Sequence, residues 1–409
     1  MVAILGYSRR QILGAVQQMY AEVAQRPEAG FHFPVGRNAC EALGYPPAWL
    51  DRLPGTALDA FAGVGCPWRG EVIRPGDRVL DIGAGAGVDS LIARERVGPE
   101  GRVFALDLTA AMTHKLQRTI RERGLSRLSV IRGSAEQLPL ADASIDGITS
   151  NGALNLVPDK RRAVREMFRV LRPGGWLQLA DVVIRRPVSV DCHEDPRLWV
   201  ECVVGASVDE ELVALFREAG FEAIEPLGEH DYFALSPSPQ TREVAQGFGA
   251  RSMEWRMRRA ETPPSPWQRA RRRLDPRRLW RRLRGHGLMG VVSLGLALLS
   301  CYGTLALVAL LPLLGLRPSL NEGLWAGAIA AFTLSTLGVL AASGVRHRQA
   351  SPALLGLLGA LLVGYALFVS YLAWLELSGF LLLGAAVLWD LRRRRHREAQ
   401  LLALSRAGE

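Results

Sequence analysis

The strongest chemical signal in the chain is the run Val79-Leu80-Asp81-Ile82-Gly83-Ala84-Gly85-Ala86-Gly87. Glycines at alternate positions let a backbone turn tightly and approach a ligand closely. Such a loop is shared by several nucleotide-binding folds, so by itself it says little. Two details narrow it. A dinucleotide-binding loop would carry glycine at position 88, where this chain has Val88. Asp81 stands just before the first glycine, where a carboxylate can pair with a cationic amino-acid end. S-adenosylmethionine has such an end and NAD does not. Asp81, Gly83, Ala84, Gly85 and Gly87 are therefore candidate cofactor ligands.

Further along, Asp107 and Leu108 follow a short apolar run, 26 residues after Asp81. A carboxylate at a strand tip can accept both hydroxyls of a ribose. It can equally cap the helix expected from Ala110. Ser134 and Ala135 open the segment Gly133-Ser134-Ala135-Glu136-Gln137-Leu138-Pro139, and Asn151 ends another strand-like run. Strand carboxyl ends are where ligands sit in open α/β sheets. Asn155 lies near the same end and could equally do no more than cap the turn before Pro158.

Regular alternation supplies the elements that would hold these residues. A helix is expected from Ser8 to about Arg26, with Ile12, Val16, Met19 and Val23 on one face. Loops and short helices follow to Pro67. Strands are expected at 78–82, 102–106, 128–131, 146–150 and 176–183, separated by helices at 88–96, 110–123 and 159–171. A last helix at 208–219 leads to two closely spaced strands, Phe221–Glu225 and Asp231–Leu235, expected to pair antiparallel at one edge. The fold class is α/β: a Rossmann-like, seven-stranded, mainly parallel sheet covered on both faces.

The order VLDIGAGAG, VFALD, GSAEQLP, SNGALNLVPDK, FRVLRPGG resembles class I S-adenosylmethionine-dependent methyltransferases. More narrowly, FHFP near 31, GVGxP near 65, VGPEGRV, SNGALNLVPDK and ECVVGA resemble their arsenite methyltransferase-like branch. The resemblance covers about residues 8–236. It implies that Ser134 and Ala135 hold the adenine edge and that Asn151 faces the methyl group and the acceptor. Relatives usually have Asp where this chain has Ser134. The arsenite methylators carry three cysteines, of which Cys202 matches one. Cys66 lies two positions from another, with Val64 in its place, and the third has no counterpart. A soft trivalent ion wants several converging thiolates, and Cys66 and Cys202 can equally be small apolar fillers. Methyl transfer needs alignment above all. A base is required only for a hydroxyl, amine or carbon acid. His32, between Phe31 and Phe33, His193 and Asp181 could serve, and each can equally be structural. His32 stands out because the flanking rings could wall an apolar pocket.

The remainder of the chain has a different character. Residues 1–236 carry 27 Lys and Arg against 31 Asp and Glu, and residues 237–409 carry 23 against 9. The net charge of +10 thus belongs to the second part. There, Gly287–Leu311, Gly323–Val345 and Ala353–Leu375 are uncharged runs long enough to span a bilayer. Ser351 to Trp389 would make a helix of about 58 Å against a hydrocarbon core of about 30 Å. A turn near Glu376–Gly379 and a short fourth span are therefore expected. Arg-rich segments before the first span, after the second and after the fourth put both termini and the catalytic domain on the cytoplasmic side of an inner membrane. The basic run 269–284, set against a span, reads as a contact with anionic headgroups and not with nucleic acid. Five scattered cysteines suit a reducing setting and show no metal-ligand spacing. The N-terminus has no signal-peptide pattern.

The expected organisation is a helical and loop cap (1–70), a methyltransferase domain (71–236), a Pro/Arg-rich linker (237–286), transmembrane helices (287–391) and a basic tail (392–409). The expected partners are S-adenosylmethionine, a small or lipid-soluble methyl acceptor, and a membrane. Arsenite methylation and a non-catalytic S-adenosylmethionine sensor governing the bundle remain alternatives. A transporter with a regulatory domain is disfavoured, because Glu376 is the one ionisable residue well inside the apolar runs.

Overall fold

The computed structural model describes residues 8–185, 205–262, 264, 265, 267, 268, 280, 283, 288–303, 322–347 and 350–406. These fall into two compact units, residues 1–274 with 401–409, and residues 275–400.

The first unit opens with α1 (Arg9–Gln25), started by a Ser8–Gln11 capping box and burying Ile12, Val16 and Val23. Short helices α2 (Arg37–Ala42), α3 (Pro47–Leu50) and α4 (Gly55–Leu58) and a 3₁₀ turn (Pro67–Gly70) complete the N-terminal cap. Strands and helices then alternate: β1 (Arg78–Ile82), α5 (Val88–Val97), β2 (Arg102–Asp107), α6 (Ala110–Glu122), β3 (Leu128–Arg132), β4 (Ile145–Asn151), α7 (Lys160–Val170) and β5 (Leu171–Ile184). The two-residue β6 (Ser207–Val208), α8 (Asp209–Ala219), β7 (Phe221–His230), α9 (Pro239–Phe248) and β8 (Arg251–Arg259) finish the unit. Sheet order is β3-β2-β1-β4-β5-β8-β7, with β6 on the side of β5. All pairs among β1 to β6 are parallel, whereas β8 runs antiparallel to β5 and β7. The order in which strands are added reverses at β1, which has β2 on one side and β4 on the other. The carboxyl ends there open a crevice.

The antiparallel edge is present, but its members differ from the expectation. Tyr232–Leu235 is a 3₁₀ turn, and the strand that pairs with β7 is β8, inside the stretch read as linker. The sheet therefore continues to Arg259 and does not stop at 236. The physical reason lies in the residues of β8. Trp255 and Met257 pack into the core on one face. The other face buries Ser252 and Glu254 and carries Arg256 and Arg258. Polar residues at buried positions hide the alternation that marks a strand.

In the second unit, α10 (Met289–Leu298) runs into a π-helical turn (Leu299–Gly303), followed by α11 (Glu322–His347), α12 (Ser351–Phe368) and α13 (Ala373–Arg406). Three described helical segments are long and apolar enough to cross a membrane: Trp325–Val345, Ser351–Phe368 and Ala373–Arg394. Of the first expected span, only 288–303 is described. The break between the last two spans lies between α12 and α13, at 369–372, and not at 376–379. Glu376 sits in the first turn of α13, 1% exposed, and accepts a hydrogen bond from the Cys301 thiol at 2.8 Å. The last span is longer than expected because Asp390, the residue that ends the apolar run, is satisfied within the bundle. Its carboxylate accepts the Ser343 hydroxyl at 2.5 Å and the Arg394 guanidinium at 2.9 Å.

Candidate functional site

The glycine loop leaves β1 with Gly83, Gly85 and Gly87 all at positive φ, +77°, +53° and +101°. At Gly83 a side chain would also strike Ala153, and at Gly87 it would strike Leu116. The loop floors a cavity at the carboxyl ends of β1, β2 and β4. Asp107, Leu108 and Thr109 wall one side, Ser134 and Ala135 another, and Asn151, Gly152 and Ala153 a third. Leu13, Val16 and Tyr20 of α1 and the segment Ala60–Gly63 cover it.

Its electrostatics are one-sided. Two carboxylates, Asp89 and Asp107, line the cavity, and no Lys, Arg or His is among the described lining residues. Asp107 accepts the Gly85 amide at 2.8 Å and the Thr109 amide at 2.7 Å. The helix α6 takes Thr109 as its N-cap, so Asp107 supports the turn without capping the helix itself. Burial pushes both carboxyls above their ordinary range. A pyrophosphate would meet repulsion here, whereas a ligand with cationic groups and a ribose fits the lining.

Asn151 ends β4 and is fully engaged. Its Oδ1 accepts the amides of Val64 (2.8 Å) and Gly65 (3.2 Å). Its Nδ2 faces Gly65 O at 2.9 Å, Tyr45 Oη at 3.0 Å and Asp89 Oδ2 at 3.1 Å. Asp89 Oδ1 in turn accepts the Tyr45 hydroxyl at 2.7 Å and the Trp68 indole N–H at 2.6 Å. One buried cluster thus ties the cap to α5 and β4. No sequence signal singled out Asp89, Tyr45 or Trp68, although Asp89 stands only two residues after the third glycine. Asp81 is buried behind the cavity wall, accepts the Ser90 hydroxyl at 2.5 Å and is not among the lining residues. Burial and the neighbouring Asp89 push its carboxyl well up.

Comparison with known proteins adds the family. Residues 73–220 match the family described as a methyltransferase domain. An arsenite methyltransferase of Halobacterium salinarum is 38% identical over 190 residues, 46% of this chain and 48% of its own length. An arsenic(III) S-adenosylmethionine methyltransferase of Chlamydomonas reinhardtii, solved by crystallography, is 31% identical, covering 53% of this chain and 73% of that one with a TM-score of 0.43. The chain belongs to the class I S-adenosylmethionine-dependent methyltransferases, in their arsenite methyltransferase-like branch. A demethylmenaquinone methyltransferase of Listeria welshimeri is 37% identical over 119 residues, 28% of this chain and 50% of its own length. The chain spans about half the length of these curated relatives. Residues 288–392 match a second family, described as MerC mercury resistance protein. That match and the three apolar helices make the methyltransferase a membrane protein.

Within the methyltransferase unit, the residues expected to meet the acceptor separate. Asn151 lines the cavity, but His32 is not among its described lining residues. The His32 ring packs edge-on against Phe33, and its backbone carbonyl accepts the Ser236 hydroxyl at 2.5 Å. Cys66 is 2% exposed, and burial, with Asp89 and Glu254 nearby, pushes its thiol up to about 12. Its amide, not its sulfur, makes the defining contact, donating to Glu254 Oε1 at 2.7 Å. Cys202 and His193 lie outside the described residues. Asp181 is buried beside Lys160, and its carboxylate accepts the Val182 and Asn155 amides at 2.8 and 3.1 Å. Asn155 is buried at the same place and does not cap the turn, its side-chain amide having no hydrogen-bond partner among the described residues. Ser134 accepts the Glu136 amide at 3.2 Å, so its hydroxyl shapes the turn at the cavity edge.

Proposed function

We propose that the chain transfers the methyl group of S-adenosylmethionine to a small, lipid-soluble acceptor presented at a membrane surface. The observation that carries this reading is a capped, carboxylate-lined cavity in a chain with three membrane-length helices. The acceptor atom displaces the sulfur in line. The new bond forms as the carbon–sulfur bond breaks, and S-adenosylhomocysteine leaves with that electron pair. The residues of the chain hold the cofactor, exclude water and orient the acceptor. The demethylmenaquinone methyltransferase relative supports an acceptor that partitions into lipid. Orientation with both termini in the cytoplasm is part of this proposal and rests on the arginine distribution.

Arsenite is the second reading, favoured by the arsenite methyltransferase relatives. Against it stands the state of Cys66: a thiol held near 12 must lose a reluctant proton to bind a trivalent ion. The test is tritiated methyl transfer by the full chain in detergent, offered either extracted membrane lipids or arsenite with a thiol. Label in an organic-soluble lipid product supports the proposal. Label in methylated arsenic replaces it with the second reading. Cofactor binding without label in either leaves the sensor alternative.

A further inference from the structure

Among the described residues, no Lys, Arg or His pairs with the Asp89 carboxylate. It is 6% exposed, and its three hydrogen-bond donors, Tyr45, Trp68 and Asn151, are all neutral. Burying a carboxylate without a cation is costly. A carboxylate accepts about four hydrogen bonds, and Oδ1 takes two here while Oδ2 takes one. Oδ2 therefore keeps an acceptor position on a residue that lines the cavity. Asp107, the other lining carboxylate, already accepts two backbone amides that stabilise its charge. Asp81, which its place before the glycine loop assigns to the cationic end of the ligand, is turned to Ser90 and is not in the lining.

We propose that Asp89, and not Asp81, receives the cationic methionine end of the cofactor. The inference rests on S-adenosylmethionine being the cofactor. It follows that cofactor charge and cap closure meet at one carboxylate, since Tyr45 and Trp68 belong to the cap. A cation reaching Oδ2 stabilises the ionised form of Asp89, which is the form that accepts both cap donors.

The test is calorimetric titration of the full chain in detergent with S-adenosylmethionine, S-adenosylhomocysteine and 5′-methylthioadenosine. The third ligand has neither ammonium nor sulfonium. Asp89→Asn keeps the shape and removes the charge. A charge-assisted hydrogen bond corresponds to a loss of about ten- to a hundredfold in affinity. That loss is expected for the ligands with a methionine end, with 5′-methylthioadenosine unchanged. A larger loss for S-adenosylmethionine than for S-adenosylhomocysteine assigns the contact to the sulfonium, and equal losses assign it to the ammonium. Equal losses for all three ligands, or no loss, overturn the proposal and leave Asp89 a cap fastener. Asp81→Asn is the comparator, and selectivity appearing there instead also overturns it. Should D89N fail to fold, Asp89→Ser is read against the same pattern. Failure of the unaltered chain to bind any of the three would instead refute the cofactor assignment itself.

Discussion

Replacing Asn151 with Ala separates two roles that the sequence merges. In the structure its amide fastens the loop Gly63–Cys66 to the end of β4. The substitution strands the Val64 and Gly65 N–H groups and the Gly65 carbonyl, all buried. Each buried group left unpaired costs about 1–3 kcal/mol. Three give about 3–7 kcal/mol once some relaxation is allowed. For a unit of this size that is a fall of about 6–28 °C in the melting temperature. The loss is local, so amide hydrogen exchange at 63–66 should accelerate at least about thirtyfold while the β1 and β4 amides change little. Both are measured on the full chain in detergent, by calorimetry and by exchange with mass spectrometry. If melting and exchange stay at the original values while methyl transfer collapses, Asn151 is an acceptor contact. The latch would then be wrong.

Other outcomes follow from the same geometry. Gly83→Ala places a methyl group against Ala153 at a φ of +77° and should abolish cofactor binding in calorimetry while leaving the helices of the second unit intact. The Asp181–Lys160 pair gives a signed pH dependence. Burial lifts Asp181 from 3.8 to about 7 and, despite the attraction of Asp181 and Glu136, lowers Lys160 from 10.5 to about 8. Folded Asp181 keeps a proton that the unfolded chain releases, so its contribution to stability falls as pH rises from about 4 to about 7. Lys160 acts in the opposite direction above about 8, where the folded chain has already lost its proton. Asp181→Asn should flatten the decline in melting temperature between pH 4.5 and pH 7; an unchanged slope would place the titration elsewhere.

What the sequence made legible was whatever hydrophobic period and glycine spacing encode. The strands β1 to β5, the helices between them and the loop at Gly83–Gly87 fall where the pattern puts them. What it hid has a common cause. Asp89 and Glu254 are charged residues at buried positions, where a charge in a sequence reads as a solvated surface. Glu376, visible in the sequence as an ionisable residue inside the apolar runs, suggests a turn but is buried at the start of a helix. Each is buried because a partner distant in the chain donates to it: Tyr45 and Trp68 to Asp89, the Cys66 amide to Glu254, Cys301 to Glu376. Such partners are fixed by tertiary packing, which no local period records. Cys66 stands out in the sequence for its sulfur, but its structural contact is made by its backbone.

The hidden strand and the legible one meet in a single row of the sheet. Asn151 of β4 lies opposite Ala180 of β5, and Ala180 lies opposite Glu254 of β8. The loop 63–66 lies across that row and gives its amides to both ends, Val64 and Gly65 to Asn151 and Cys66 to Glu254. Glu254 is also held by Arg69 and His230, each at 3.1 Å. Gly65 is the close approach. A Cβ there would come within 2.9 Å of the Ala180 Cβ and 3.0 Å of Glu254 Oε1. Neither neighbour can yield, since Ala180 belongs to a central strand and Glu254 is fixed by three partners. Gly65→Ala must therefore lift the loop, and the Asn151 latch with it. Its exchange pattern at 63–66 should reproduce that of Asn151→Ala, and the double variant should add little to either single one. Additive effects would mean that the two ends of the row hold the cap independently, and that the antiparallel edge has no part in closing the site.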